Sequence, residues 1–218
     1  MSTPDTSASL GDEWDRSLVQ RETALELPFF TIEAVNAVFD HVGTAPLAAC
    51  AAADIAVAPR AAFVSTLSFS RSLPDLGVDP ASPRVFRVGR SYARREFANS
   101  VREDGLTDVS RTDDTPLERA TGPDGHAFRY EAAYPFDADA LLAESASGRL
   151  LVATAVWAGI WPTENSYAMA GGIYPTETFR TAVERQAPGG TLSTEHRLDP
   201  NPDRDRERVF EVLRTVET

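Results

Sequence analysis

Few side chains in this sequence can do chemistry beyond acid–base work. There is one cysteine, Cys50, three histidines (His41, His126 and His196) and no lysine at all. Schiff-base and pyridoxal phosphate chemistry are therefore closed to it. A cysteine–histidine nucleophile would need Cys50, which has no local signature around it. No two histidines stand at a metal-ligand spacing. There is no Gly-x-Ser-x-Gly elbow, no phosphate loop with lysine and no His-Glu-x-x-His. What remains for an enzyme is an acid–base pair of Asp or Glu with a histidine, assembled across the fold. The discriminating observation would be His126 beside a carboxylate in a deep pocket.

Three local patterns call for a chemical reading. Asp199-x-Asn201-x-Asp203-x-Asp205 resembles the first half of a calcium loop. Arg204 stands where the loop needs glycine, however, and Phe210 where a bidentate glutamate belongs. The alternative is a polar linker in which Asp203 or Asp205 caps a helix. Gly171-Gly172-Ile173-Tyr174-Pro175-Thr176-Glu177 joins a strand to a helix start, where anions bind. Glu177 opposes an anion there, and the double glycine equally marks a bulge or a close-packed point. Trp157, Trp161, Tyr174 and Tyr134 concentrate large rings, which can line a cleft for a small apolar ligand or fill a core.

The elements that would position these residues follow from periodicity. Gln20–Leu27 alternates and stops at Pro28, and Phe30–Phe39 reads as a second strand. Ala61–Arg71 sets Phe63, Leu67 and Phe69 against Thr66, Ser68 and Ser70. A Pro/Gly/Asp loop over Leu73–Pro83 precedes a helix over Ser91–Asp104, with Ala93, Phe97 and Val101 inward and Arg94, Arg95, Arg102 and Glu103 toward water. Gly105 followed by Leu106 predicts a left-handed cap. Thr107–Ser110 and Thr115–Arg119 are short strands around an exposed Asp113-Asp114 turn. Pro123-Asp124-Gly125 launches a strand whose Phe128, Tyr130, Ala132, Tyr134 and Phe136 share one face, opposite Arg129 and Glu131. Arg149–Trp161 is apolar at both parities, the mark of a strand covered on both sides. Tyr167–Tyr174 is its hairpin partner. Thr176 caps a helix ended by Pro188-Gly189-Gly190, and Arg204–Val216 forms the last one. The expectation is α+β: a mostly antiparallel sheet with about three amphipathic helices packed on it as a layered sandwich. Residues 14–218 would form one domain behind a disordered tail, 1–13.

Charge sets the surroundings. Asp and Glu number 33 against 21 arginines, a formal −12 over 218 residues. Such a balance argues against nucleic acid as a partner. Acidic surfaces without lysine suit molar salt, where the Debye length falls to about 3 Å and self-repulsion vanishes. The composition thus predicts a halophile, a haloarchaeon above all. Met1–Gly11 lacks the charged and apolar regions of a signal peptide. The most apolar stretch, Ala45–Ala62, is broken by Asp54, Pro59 and Arg60. Leu47-Ala48-Ala49-Cys50 spells a lipobox, but Glu33, Asp40 and His41 occupy the segment that would have to be apolar. Cys50 then reads as a small buried hydrophobe, and the location expected is cytoplasmic, with no membrane partner.

Five segments together resemble an uncharacterised haloarchaeal protein family, a domain of unknown function. They are Glu22–Pro28, Ala62–Pro74, Phe97–Val109, the run Ala170-Gly-Gly-Ile-Tyr-Pro, and Asp199–Val216. Some such proteins look like lipoproteins. The element order is also loosely similar to PsbP-like domains, which implies a fold and no site. We assign no catalytic, cofactor-binding or metal-binding residue from the sequence. The expected role is a non-enzymatic domain that binds a protein partner or a small apolar ligand. An acid–base enzyme is the alternative, and a homo-oligomer pairing through the edge strand Gln20–Leu27 a further possibility.

Overall fold

A computed structural model describes residues 10–27, 30–143, 148–193 and 198–216. The expected tail residues 1–9, the strand stop at Pro28 and His196 lie outside them. Seven strands form one antiparallel sheet. They are β1 (Trp14–Leu27), β2 (Phe30–His41), β3 (Ala61–Phe69), β4 (Thr107–Leu117), β5 (Gly125–Asp137), β6 (Arg149–Pro162) and β7 (Tyr167–Pro175). Their spatial order is β1-β2-β3-β7-β6-β5-β4. The helices are α1 (Pro83–Glu103), α2 (Ala138–Leu141), α3 (Phe179–Gln186) and α4 (Pro202–Thr215), with short 3-10 turns at Ala45–Cys50 and Pro74–Leu76.

Alternation along the strands sorts the apolar side chains into two clusters. Phe128, Tyr130, Tyr134, Phe136, Val152, Val156 and Ile160 join Ala93 and Val101 of α1 and Phe179 and Val183 of α3. Ala155, Trp157, Trp161, Ala168, Ala170 and Val64 join Val209, Val212 and Leu213 of α4. Both parities of β6 are therefore used, one by each cluster. Leu10 is also buried, in the second cluster. Cys50 closes the first 3-10 turn at 5% exposure, and burial pushes its thiol pKa up.

The double glycine is a close-packed point within an unbroken ladder. Register runs without a shift through Gly171 and Gly172 against both β3 and β6. A Cβ on Gly171 would meet the Trp157 carbonyl oxygen and the Phe63 ring; one on Gly172 would meet Val209 of α4 at 2.8 Å. Helix and sheet approach this closely only because those Cβ atoms are missing.

Several boundaries differ from the sequence expectation, each for a local reason. β1 begins at Trp14, because Trp14–Val19 pairs with Ala37–His41 across a register shift that hides its alternation. α1 begins at Pro83, with Pro at its first position and Ser82 before it. Thr107–Leu117 is one strand through Asp113-Asp114, because two register shifts let polar residues ride an edge. The cap of α3 is Thr178, whose hydroxyl accepts from the Thr181 amide at 3.1 Å, and Thr176 instead donates its amide to the Ala153 carbonyl. The cap of α4 is Asn201, neither Asp203 nor Asp205. Gly105 does adopt the left-handed cap at φ 92, with the Leu106 amide returning to the Val101 carbonyl.

β6 outruns β7, whose last pair is Thr154 with Pro175. Side chains take over the free edge. Gln186 Oε1 accepts from the Leu151 amide at 2.9 Å, and Glu177 Oε1 accepts from the Ala153 amide at 2.7 Å. Gln186 and Arg185 both donate to the Leu151 carbonyl. Glu177, considered above as an opponent of an anion, is thus spent on the backbone and on Arg185.

Candidate functional site

The four rings singled out above do not converge. Tyr134 belongs to the first cluster, 1% exposed, and its hydroxyl donates to the Val57 carbonyl at 2.6 Å. Trp157, Trp161 and Tyr174 belong to the second. Trp157 Nε1 donates to the Tyr174 hydroxyl at 3.1 Å, and Phe210 of α4 meets the Trp157 ring edge-on. Arg119 stacks on Trp161 at 4.1 Å, and Trp161 Nε1 is buried without a hydrogen-bond partner among the described residues.

A cleft of about 120 Å³ lies where α4 begins, against the ends of β1, β2 and β3. Its charges are already matched. Arg60 donates to Asp205 at 2.9 Å, with both side chains 11% exposed, and to the Asp199 carbonyl. Arg204 donates to both oxygens of Glu13. His41, edge-on to Trp14, has its pKa lowered by burial and by Arg60 and Arg204, against Glu13 and Asp205. Asn201 and Asp205 of the calcium-like pattern serve here as helix cap and ion-pair partner. Among the described residues no three His, Cys, Asp or Glu side chains group so as to hold a metal ion.

A broader trough of about 480 Å³ crosses β4, β5 and β6. Its floor is small, Ala133 and Ala153, and Arg129, Glu131 and Arg185 stand at its sides. Register places Trp157 beside Arg129, and Ala155 between Glu131 and Tyr174, but both rings are buried and neither lines the trough. Asp108, at φ 53, sits on its rim.

The densest constellation is under α1. His126 is 9% exposed and its Nε2 contacts Asp114 Oδ1. Arg90 Nη1 lies 3.0 Å from His126 Nδ1 and 3.1 Å from Nε2. Asp114 Oδ2 accepts from Arg111 at 2.8 Å and from Arg94 at 3.4 Å. Burial raises the Asp114 pKa, but the His126 hydrogen bond and the charges of His126, Arg90 and Arg111 outweigh it and hold the carboxyl below its usual range. Tyr130 donates to the Arg94 carbonyl at 2.8 Å, and burial pushes its phenol up to about 12. Sequence reasoning named His126 and missed its partner, because Asp113-Asp114 has turn composition. It also set Arg94 toward water, where the structure turns it to Asp114. The available signal was Arg90 and Arg94 at helical spacing on the flank of the Phe86 and Phe97 side.

Above that knot, the outer side of α1 is exposed. Arg84, Arg87, Val88, Ser91, Arg95 and Arg102 all face solvent, and Val88 at 71% is more exposed than Leu18, Val19, Val42 or Leu76. At about 100° per residue they share one stripe. α1 carries six arginines against two glutamates, +4 in a chain of −12. The model of a domain of unknown function, DUF6517, matches residues 3–217. The chain belongs to the DUF6517 family. No curated protein and no solved structure matches it. The segments quoted from the sequence lie within this DUF6517 match, and Ala62–Pro74 and Ala170–Pro175 hold most of β3 and the second half of β7, which pair at the centre of the sheet.

Proposed function

We propose that this chain is a non-enzymatic domain that engages a protein partner through the outer face of α1. The observation that carries the reading is that face: an isolated cationic stripe around the exposed Val88, in a chain whose remaining charge is −16. Guanidinium groups left without carboxylates along one helix face present paired donors that a carboxylate-bearing surface would complete. The fold is read as a layered α+β sandwich of three amphipathic helices, α1, α3 and α4, around the sheet. The setting is read as the cytoplasm of a halophile, a haloarchaeon by composition. No helix among the described residues is long and apolar enough to cross a membrane. For a small ligand, the supporting feature is the trough floored by Ala133 and Ala153.

The enzymatic reading has one observation in its favour, the His126–Asp114 pair. A general base needs a ring nitrogen free to face substrate. Here Asp114 contacts Nε2 and the Arg90 guanidinium sits against both ring nitrogens, so the ring is closed off from a substrate and the cluster reads as a support for α1. The test is a photo-crosslinking residue at Val88, compared with one at Val42, in cells expressing the whole chain. A discrete protein adduct at position 88 and none at 42 is expected. Equal adducts at both positions, or none at 88, overturn the reading.

A further inference from the structure

Resting on that reading, the geometry points to the chemistry of the partner: α1 docks a carboxylate-rich segment of another protein, one that also presents an apolar side chain to Val88. Arg84, Arg95 and Arg102 fall within about 20° of one another around the helix, with Val88 and Arg87 on either side of that line. The arginine line spans about 27 Å along the axis, the length of a helix of some 18 residues. These arginines are available. Among the described residues Arg84 and Arg87 form no ion pair. Arg95 meets only the adjacent Glu96 and the Tyr92 ring, and Arg102 donates to two carbonyls, Ala98 and Val109, with no carboxylate. Arg90 and Arg94, by contrast, point inward and are consumed by His126 and Asp114. The inner pair fixes the helix, so the outer forks are held in place before the partner arrives.

Guanidinium forks match carboxylates two bonds at a time, and such contact pairs survive the short Debye length of concentrated salt that abolishes long-range steering. A nucleic acid fits less well. Its extended phosphate charge would have to approach a body of −16, and Val88 within the stripe offers it nothing. A second copy of this chain is acidic too, but α1 meeting another face would be a head-to-tail contact that builds rings or filaments instead of a two-fold dimer.

The test uses the purified full-length chain and three labelled probes. These are a glutamate-rich peptide of about 20 residues with leucine at every seventh position, its glutamine counterpart, and single-stranded DNA of equal charge. Binding is followed by fluorescence anisotropy in KCl from about 0.2 M to 2 M. The acidic peptide is expected to bind at least about tenfold tighter than the other two. The triple variant R84E/R87E/R95E should lose that preference, and V88D should weaken it. The variant R16E/R21E, which changes charge on β1, should keep it, and unchanged melting temperatures show that the variants fold. Equal binding of acidic and neutral peptides overturns the inference. So does DNA binding as tight as the acidic peptide, or sedimentation showing self-association that R84E/R87E/R95E abolishes. An adduct at Val88 to a neutral or basic surface sinks this inference alone, whereas no adduct at Val88 removes the reading beneath it.

Discussion

Asp114 is a single carboxylate shared by a histidine and two arginines, and its ionised form is what the folded chain stabilises. Its folded pKa lies below the unfolded value of about 3.9. The stability it contributes is therefore complete above that value and is lost as pH falls through the folded pKa. Asp114→Asn should lower stability by about 1–2 kcal/mol at neutral pH, since the group is partly exposed. Melting temperatures measured from about pH 5 to about pH 3 should then fall less steeply in the variant than in the parent. An identical slope in both would mean that the carboxylate does not set the acid limb. The pair it forms was half legible beforehand. His126 stands out as one of few titratable groups, while Asp114 hides because aspartate is rare in strand interiors and its strand survives only as an edge.

Elements were legible where one period dominates. β5 and β6 show their alternation openly, so Phe128, Tyr130 and Tyr134 land on one side and Trp157 and Trp161 on the other, as the pattern demands. Where two elements compete for the same residues, boundaries slipped. The first turns of α1 give a weak signal because Arg84, Arg87 and Val88 carry no inward apolar period; Val85 and Phe86 turn in, Phe86 to the Tyr167 ring at 6.1 Å. Gly89 just beyond it lets that ring approach, since a Cβ there would sit 3.0 Å away. β7 depends on the same economy of atoms. Gly171→Ala places a methyl against backbone, which cannot move aside as a side chain does. It should cost about 3 kcal/mol or more, a drop of roughly 6–12 °C in melting temperature by calorimetry. A loss within 1 °C would show that β6 and β7 are less tightly apposed than described.

On the scale of the whole molecule the charge of −12 is a repulsion that folding must overcome. KCl screens it, and a gain of about 2 kcal/mol between dilute and molar salt would raise the melting temperature by roughly 4–8 °C. Equal or greater stability in dilute salt would remove the case for a salt-adapted protein. The cationic face of α1 was not legible from this total, because a sum over 218 residues conceals where the signs lie. Helical registration was needed to see that three of the arginines share one outward line with Arg87 beside it. The order of strands has its own bearing on how the chain reaches this state. β1–β3 and β4–β7 are each runs of neighbours in sequence, and the two runs meet only along six paired positions, from Ala61 with Ile173 to Thr66 with Ala168. Closing that seam brings together residues about a hundred positions apart and carries the largest loop entropy in the sheet. Loop entropy thus favours pairing within each meander before this seam closes, and the seam runs along the strand whose two glycines let it pack.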